Sequence, residues 1–282
     1  MDKLLTILIV QYKTPELTKI CLRLLNLHTD LSRVEVIVID NHSEDESIDW
    51  LKSLPFVKLI ERPAMSGERV GESHSRALDL GFEEVKTPLV MVMHTDTFVM
   101  SDDWLDVLVK PFENEPNLAG VGSWKLESVP WWKKIGKAIE DGVKYYLLAP
   151  FFGRKWGERP ERLRNHMFLR SHCAVYRTEL LRQYTDGFFG GETAGKKAHH
   201  QLAEAGYELR FIPSDELIKY IWHLNHATMV LHPELGGKKT SKPSSLRQLQ
   251  RDMEKMHYRD ILANDKLDIP VTRSSPTAGS TP

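Results

Sequence analysis

The chain has 282 residues, 41% of them apolar and 27% charged, with a formal net charge of −1. That is enough for one large globular domain with an appendage, and too apolar for a disordered chain. The near-neutral balance gives no general drive toward nucleic acid or an anionic surface, and two cysteines, Cys21 and Cys173, without metal-type Cys/His spacing exclude a disulfide scaffold and a zinc ribbon.

In chain order, Leu4 to Val10 predicts a first strand. Thr14-Pro15 offers an N-cap followed by proline at the first helical position. Leu17, Ile20, Cys21, Leu24 and Leu25 then recur at helical spacing and should face a sheet. Val34 to Asp40 is a second apolar run of strand length. Ser43-Glu44-Asp45-Glu46 reads as a capping box for a helix after it. Val57 to Ile60 is a short third strand, and Ser75 to Val85 a weaker helix. Thr87-Pro88 punctuates the entry to a fourth strand, Leu89 to Asp96. Ser101-Asp102-Asp103 caps a further helix, and Ala119 to Trp124 returns as a strand. This alternation predicts an α/β fold with a mainly parallel central sheet.

Residues 125–165 change in character, being rich in Trp, Lys, Arg and Pro around Trp131-Trp132-Lys133-Lys134 and Arg154-Lys155-Trp156. A glycine-rich turn, Gly187 to Glu192, precedes a helix from about Lys196 to Ala205. Leu246 to Leu262 reads as one surface helix, and the Ser/Thr/Pro-rich end as disordered. The N-terminus has no cationic, signal-like stretch, and the apolar run Tyr145 to Phe152 is too short to span a bilayer. A cytoplasmic protein is expected, in contact with a membrane only peripherally, at its inner face.

Two strands run straight into acids, Asp40 and Asp96. Ligands of open α/β sheets bind at the carboxyl ends of strands, so both acids are expected in one cleft. There they suit a nucleotide's hydroxyls and a phosphate-bridging divalent cation. His94 reads either as a ligand beside Asp96 or as the last pleat of the strand. Glu192 reads either as a functional carboxylate or as a charge at a helix start. His172, His199 and His200 read as structural or solvated. Gly67-Glu68-Arg69-Val70-Gly71 is too loosely placed to be a dinucleotide fingerprint.

The ordered series of segments resembles the inverting family-two glycosyltransferases of GT-A fold, over roughly Leu4 to Thr228. It is carried by Val10-Gln11-Tyr12-Lys13 at the first strand end, Asp40-Asn41-His42-Ser43-Glu44-Asp45 at the second, and His94-Thr95-Asp96 where the family has Asp-X-Asp. Glu192-Thr193 stands before Leu202-Ala203-Glu204-Ala205-Gly206-Tyr207, where the family has Glu-Asp before Ala-Gly-Tyr. Ile221-Trp222-His223-Leu224-Asn225-His226 follows. The usual Asn-X-Gly is replaced by Arg62-Pro63-Ala64.

The resemblance implies a GT-A, Rossmann-like nucleotide-diphospho-sugar transferase domain over residues 1–235. Residues 1–124 would form its nucleotide-sugar half and 125–235 its acceptor half. A helical extension, 236–266, and a disordered tail, 267–282, would follow. The resemblance assigns Val10, Tyr12, Asp40, Asn41, Arg69, Arg76 and Thr95 to the nucleotide sugar. Asp96 and His223 fall to a metal, and His94 and His226 to metal or donor. Glu192 becomes the base that deprotonates the acceptor. Trp131 and Trp132, in the basic segment, are read as acceptor contacts.

The implied cofactor is Mg²⁺ or Mn²⁺, with imidazole favouring Mn²⁺. The implied partners are a UDP- or dTDP-sugar and a saccharide or lipid-linked acceptor in surface-glycan (polysaccharide) synthesis. Two other readings compete: a transferase acting on modified DNA bases, and a non-catalytic glycan- or nucleic-acid-binding module.

Overall fold

The first strand, β1 (Leu5–Gln11), is buried along its whole length, as the continuous apolar run requires of a strand covered on both faces. A computed structural model of the chain describes residues 3–124, 126, 167–190, 193–235 and 242–271. β1 leads through α1 (Pro15–His28), β2 (Val34–Asp40) and α2 (Ser47–Ser53) to β3 (Val57–Glu61), α3 (Val70–Glu83) and β4 (Leu89–His94). The short β5 (Thr97–Val99), α4 (Trp104–Val109), α5 (Pro111–Asn114) and β6 (Leu118–Gly122) follow. Later come β7 (Cys173–Arg177), α6 (Thr178–Tyr184), α7 (Lys196–Glu204), β8 (Glu208–Phe211), α8 (Ser214–Leu217), β9 (Ile221–His223) and α9 (Ala227–Leu231). The last α-helices described are α10 (Pro243–Lys255) and α11 (Tyr258–Ala263), followed by a 3-10 turn over Asp265–Asp268.

The main sheet runs β3-β2-β1-β4-β7-β6-β8, and β5 pairs with β9 in a separate two-stranded sheet. The pairings β1–β2, β1–β4, β2–β3 and β6–β8 are parallel, while β7 runs antiparallel to both its neighbours. The chain winds outward from β1 to β3 and then returns to place β4 on the other side of β1. That reversal opens a crevice at the carboxyl ends of the strands. The register sets Gln11 opposite Asp40 and Val10 opposite His94, so these residues reach the same edge.

One face of the sheet packs on α1 and α4 through Ile20, Leu24 and Trp104, in a core that Leu249 and Met253 of α10 extend; the other packs on α3, α6 and α7 through Leu78, Phe82, Leu181 and Leu202. Gly81 lets α3 approach closely, since a Cβ there would stand 2.7 Å from Ile39 Cδ1.

Several local expectations are corrected. Thr14 precedes α1 but makes no side-chain cap; Gln11 Oε1 accepts its N–H instead. The capping box does not form: α2 starts at Ser47, and Asp45 Oδ1 accepts the Ser47 N–H. Ser43 is used elsewhere, its N–H donating to Asp40 Oδ2. α3 begins five residues early, at Val70. The single helix over 246–262 is two, broken at His257, whose φ is 51°. Leu267 to Val271, expected in a disordered tail, are held against α1. The Asn26 Nδ2 donates to the carbonyls of Leu267 and Ile269, and the Val271 N–H to Asn26 Oδ1. Among the described residues no helix is long and apolar enough to cross a membrane.

Candidate active site

β4 delivers Asp96 to the edge of the sheet, where the chain turns into β5. Asp96 is 4% exposed. Its Oδ2 accepts the Ala227 N–H at 3.1 Å, and its carbonyl accepts the Leu224 N–H at 2.9 Å. β5 pairs with β9 so that Thr97 lies opposite His223, which brings an imidazole 127 positions away onto the same carboxylate. His223 Nε2 is 3.3 Å and His94 Nδ1 3.7 Å from Asp96 Oδ1. The other nitrogen of His94 is held by Ser171 Oγ at 2.9 Å, which aims Nδ1 at Asp96.

Two more imidazoles enclose the group. His172 stacks on His223 with centroids 4.8 Å apart, its Nε2 held by Ser123 Oγ at 2.8 Å. His74 meets His94 edge-on at 5.1 Å. Burial, reinforced by neighbouring His94, pushes the His74 pKa down to about 3. Burial and the adjacent His223 and His94 likewise push His172 well below the usual histidine range. Burial alone would raise Asp96, but His223 and His94 outweigh it and hold the carboxyl well below the usual carboxylate range. The site is therefore an anion facing imidazoles.

These residues fit a divalent cation. Asp96, His94 and His223 each offer a ligand atom, all within 4.8 Å of one another. Asp96 Oδ1 and both nitrogens of His223 are buried without a hydrogen-bond partner. Although 3.3 Å apart, Asp96 Oδ1 and His223 Nε2 lack the alignment of a hydrogen bond. Buried polar atoms are rarely left so, and an oxygen with two imidazole nitrogens is a ligand set for Mn²⁺ and similar ions.

The group lies in a cavity of about 670 Å³, within the usual range for small-molecule sites. Val10, Tyr12, Asn41 and Thr95 line it, as do His94, Asp96, His223 and His226. Asp40, Arg69 and Arg76 do not line it. Asp40 is buried beneath, with one oxygen on the Ser43 N–H and Oδ1 unpartnered. Arg76 pairs with Glu72 at 3.0 Å and stacks on Phe189. Glu192, Trp131 and Trp132 lie outside the described residues; Thr193 and Ala194, which follow Glu192, line the cavity.

Sequence reasoning missed several lining residues. Arg62, just past β3, donates to Asn41 Oδ1, Ser73 Oγ and Glu68 Oε1 at 2.9, 3.1 and 2.6 Å. The hydrogen bond from Arg62 holds the Glu68 carboxyl below its usual range. The strand-end rule that selected Asp40 and Asp96 applies equally to Arg62. His172, read as structural or solvated, lines the cavity, and so do His74, Trp124 and Arg170. The Arg170 guanidinium lies 4.8 Å from the Trp124 ring and 5.0 Å from that of Phe168. His199 matches the structural reading, accepting the Leu169 N–H.

A sequence model described as glycosyl transferase family 2 matches residues 6–185. No curated protein matches the sequence. Among solved structures, a mannosyltransferase from Pyrobaculum calidifontis in complex with GDP-Man and Mn²⁺ aligns over 100% of this chain and 77% of its own, at 15% identity and a TM-score of 0.53. Residues 1–349 of S. aureus TarS align over 93% of this chain and 70% of theirs, at 15% identity and a TM-score of 0.51. Both likenesses are of fold.

Proposed function

Since the chain belongs to glycosyl transferase family 2, we propose that it moves a sugar from a nucleoside diphosphate donor to a hydroxyl acceptor, inverting the anomeric centre. The observation that carries this reading is the Asp96–His94–His223 group, with its unpartnered oxygen and nitrogens, in a cavity at the carboxyl ends of the strands. Asp96 and His223, with His94, would hold a Mg²⁺ or Mn²⁺ ion. When bound, that ion neutralises charge developing on the departing diphosphate.

Tyr12, Asn41 and Arg62 form the wall of the cavity at the ends of β1, β2 and β3, where the nucleoside would bind. Glu192 takes the acceptor proton opposite the leaving group. Asp186, the other carboxylate beside the glycine-rich turn, is tied to Lys197 at 2.6 Å and to Gln201 at 2.9 Å, and does not line the cavity. Trp124 and Arg170 join Trp131 and Trp132 as candidate acceptor contacts.

The test is a panel of UDP-, dTDP- and GDP-sugars, read as donor hydrolysis and as thermal stabilisation with and without Mn²⁺. A ligand at about 100 times its Kd should stabilise by ~2.7 kcal/mol. If no donor in the panel stabilises the protein, with the ion or without it, the transferase reading is lost.

A further inference from the structure

The glycine-rich turn before α7 is held from outside by a residue with no part in the proposed chemistry. Asp79, on α3, accepts two successive backbone N–H groups of the turn: Phe188 N at 2.5 Å on Oδ1 and Phe189 N at 3.0 Å on Oδ2. Adjacent N–H donors pointing at one carboxylate fix both the position and the direction of the strand of chain that carries them. Gly187 is required at the contact. Its φ is +88°, and a Cβ there would come within 2.4 Å of Asp79 Oδ1. Arg76, one helical turn before Asp79, covers the Phe189 ring at 4.1 Å. The turn is closed at its far end by the Gly195 N–H on the Phe188 carbonyl, at 3.0 Å.

At the other end of the same helix, Val70, Gly71, Ser73 and His74 line the cavity. One rigid helix thus touches the nucleotide wall with its first turns and the turn that leads to Thr193 and Ala194 with Asp79. We propose that Asp79 is a positioning residue for sugar transfer. Through its bidentate grip on Phe188 and Phe189, and the Gly195 N–H on the Phe188 carbonyl, it sets the acceptor-side wall of the cavity at Thr193 and Ala194 at a fixed distance from the donor. The proposal rests on the reading of that turn as the acceptor side, which carries Glu192 in its sequence. Misplacement of a reacting group by about 1 Å can cost 10²-fold in rate.

The test uses the full chain with the best donor and acceptor from the panel. Asp79→Ala should lower kcat for transfer on the order of 10²-fold, with affinity for UDP and GDP changed less than twofold. Asp79→Asn, which keeps one acceptor oxygen, should fall between. A merely structural role would not produce this split.

Gly187→Ala should lower kcat in the same way, and should cost less in the Asp79→Ala background, where the colliding carboxylate is gone. Should Asp79→Ala fail to fold, Gly187→Ala and Asp79→Asn carry the test. Unchanged kcat in the folded variants overturns the proposal, and so does a parallel loss of nucleotide affinity. Glu192→Gln separates the two readings. Normal transfer in that variant sinks the base assignment but leaves the Asp79 effect readable; lost transfer there with normal kcat at Asp79 sinks the positioning role alone.

Discussion

Two polar clusters, one between α1 and the C-terminal segment and one at the carboxyl edge of the sheet, differ in how completely they are satisfied. Beside α1, Arg23 donates to both oxygens of Asp268 at 2.7 Å and to the carbonyls of Ile261 and Leu262. Trp50 Nε1 adds a third bond to Asp268. At the carboxyl edge, Asp96 Oδ1 and both nitrogens of His223 have no hydrogen-bond partner. A satisfied buried network fixes structure. An unsatisfied one, kept at a cost of about 1–3 kcal/mol per group, holds binding capacity in reserve. The first cluster attaches the C-terminal segment; the second is where chemistry is proposed.

Removing a member of each cluster tests that contrast. The largest effect is expected at the edge: Asp96→Ala should reduce transfer by at least on the order of 10²-fold and abolish Mn²⁺-dependent stabilisation, while metal-free stability in urea falls only by the about 1 kcal/mol that an unpaired Ala227 N–H costs. A large loss of metal-free stability would make Asp96 a structural group and erase the contrast. Arg23→Met should do the reverse. It strands Asp268 and two carbonyls, which should cost about 3 kcal/mol in urea unfolding, with nucleotide affinity unchanged.

The smallest effect is in acid. Burial tends to raise Asp268, but its bonds to Arg23 and Trp50 prevail and its pKa is lowered. A carboxyl depressed in the folded state contributes stability above its ordinary pKa and loses it as pH falls through the folded value. Wild type should therefore lose part of its advantage over Arg23→Met as the pH falls below about 4, the ordinary aspartate pKa. A constant difference between the two melting curves across that range would remove Asp268 as the reason.

The sequence made the strands of the first half legible because β1, β2 and β4 are buried on both faces and read as unbroken apolar runs. It made Asp96 legible because a strand ending in an acid needs no partner to be noticed. His223 came only through the family pattern, since β5 and β9 are three residues each and too short to show a period. Periodicity tells which way a side chain faces but not what it meets. So the convergence of His74 and His172 on the site was invisible, and Arg23 passed as one polar residue on an apolar helix. The break at His257 carries neither glycine nor proline to announce it.

The attachment of the C-terminal segment to α1 also constrains the order in which the molecule can be completed. Arg23 and Asp268 are 245 positions apart, an interval of roughly 12–50 s at the usual pace of synthesis. Until then the first helix has emerged with a guanidinium whose acceptors do not yet exist, so the nascent α/β half cannot bury that surface as the finished protein does. Residues 261–271 thus supply the acceptors of Arg23 only after the strands that α1 packs against have been made.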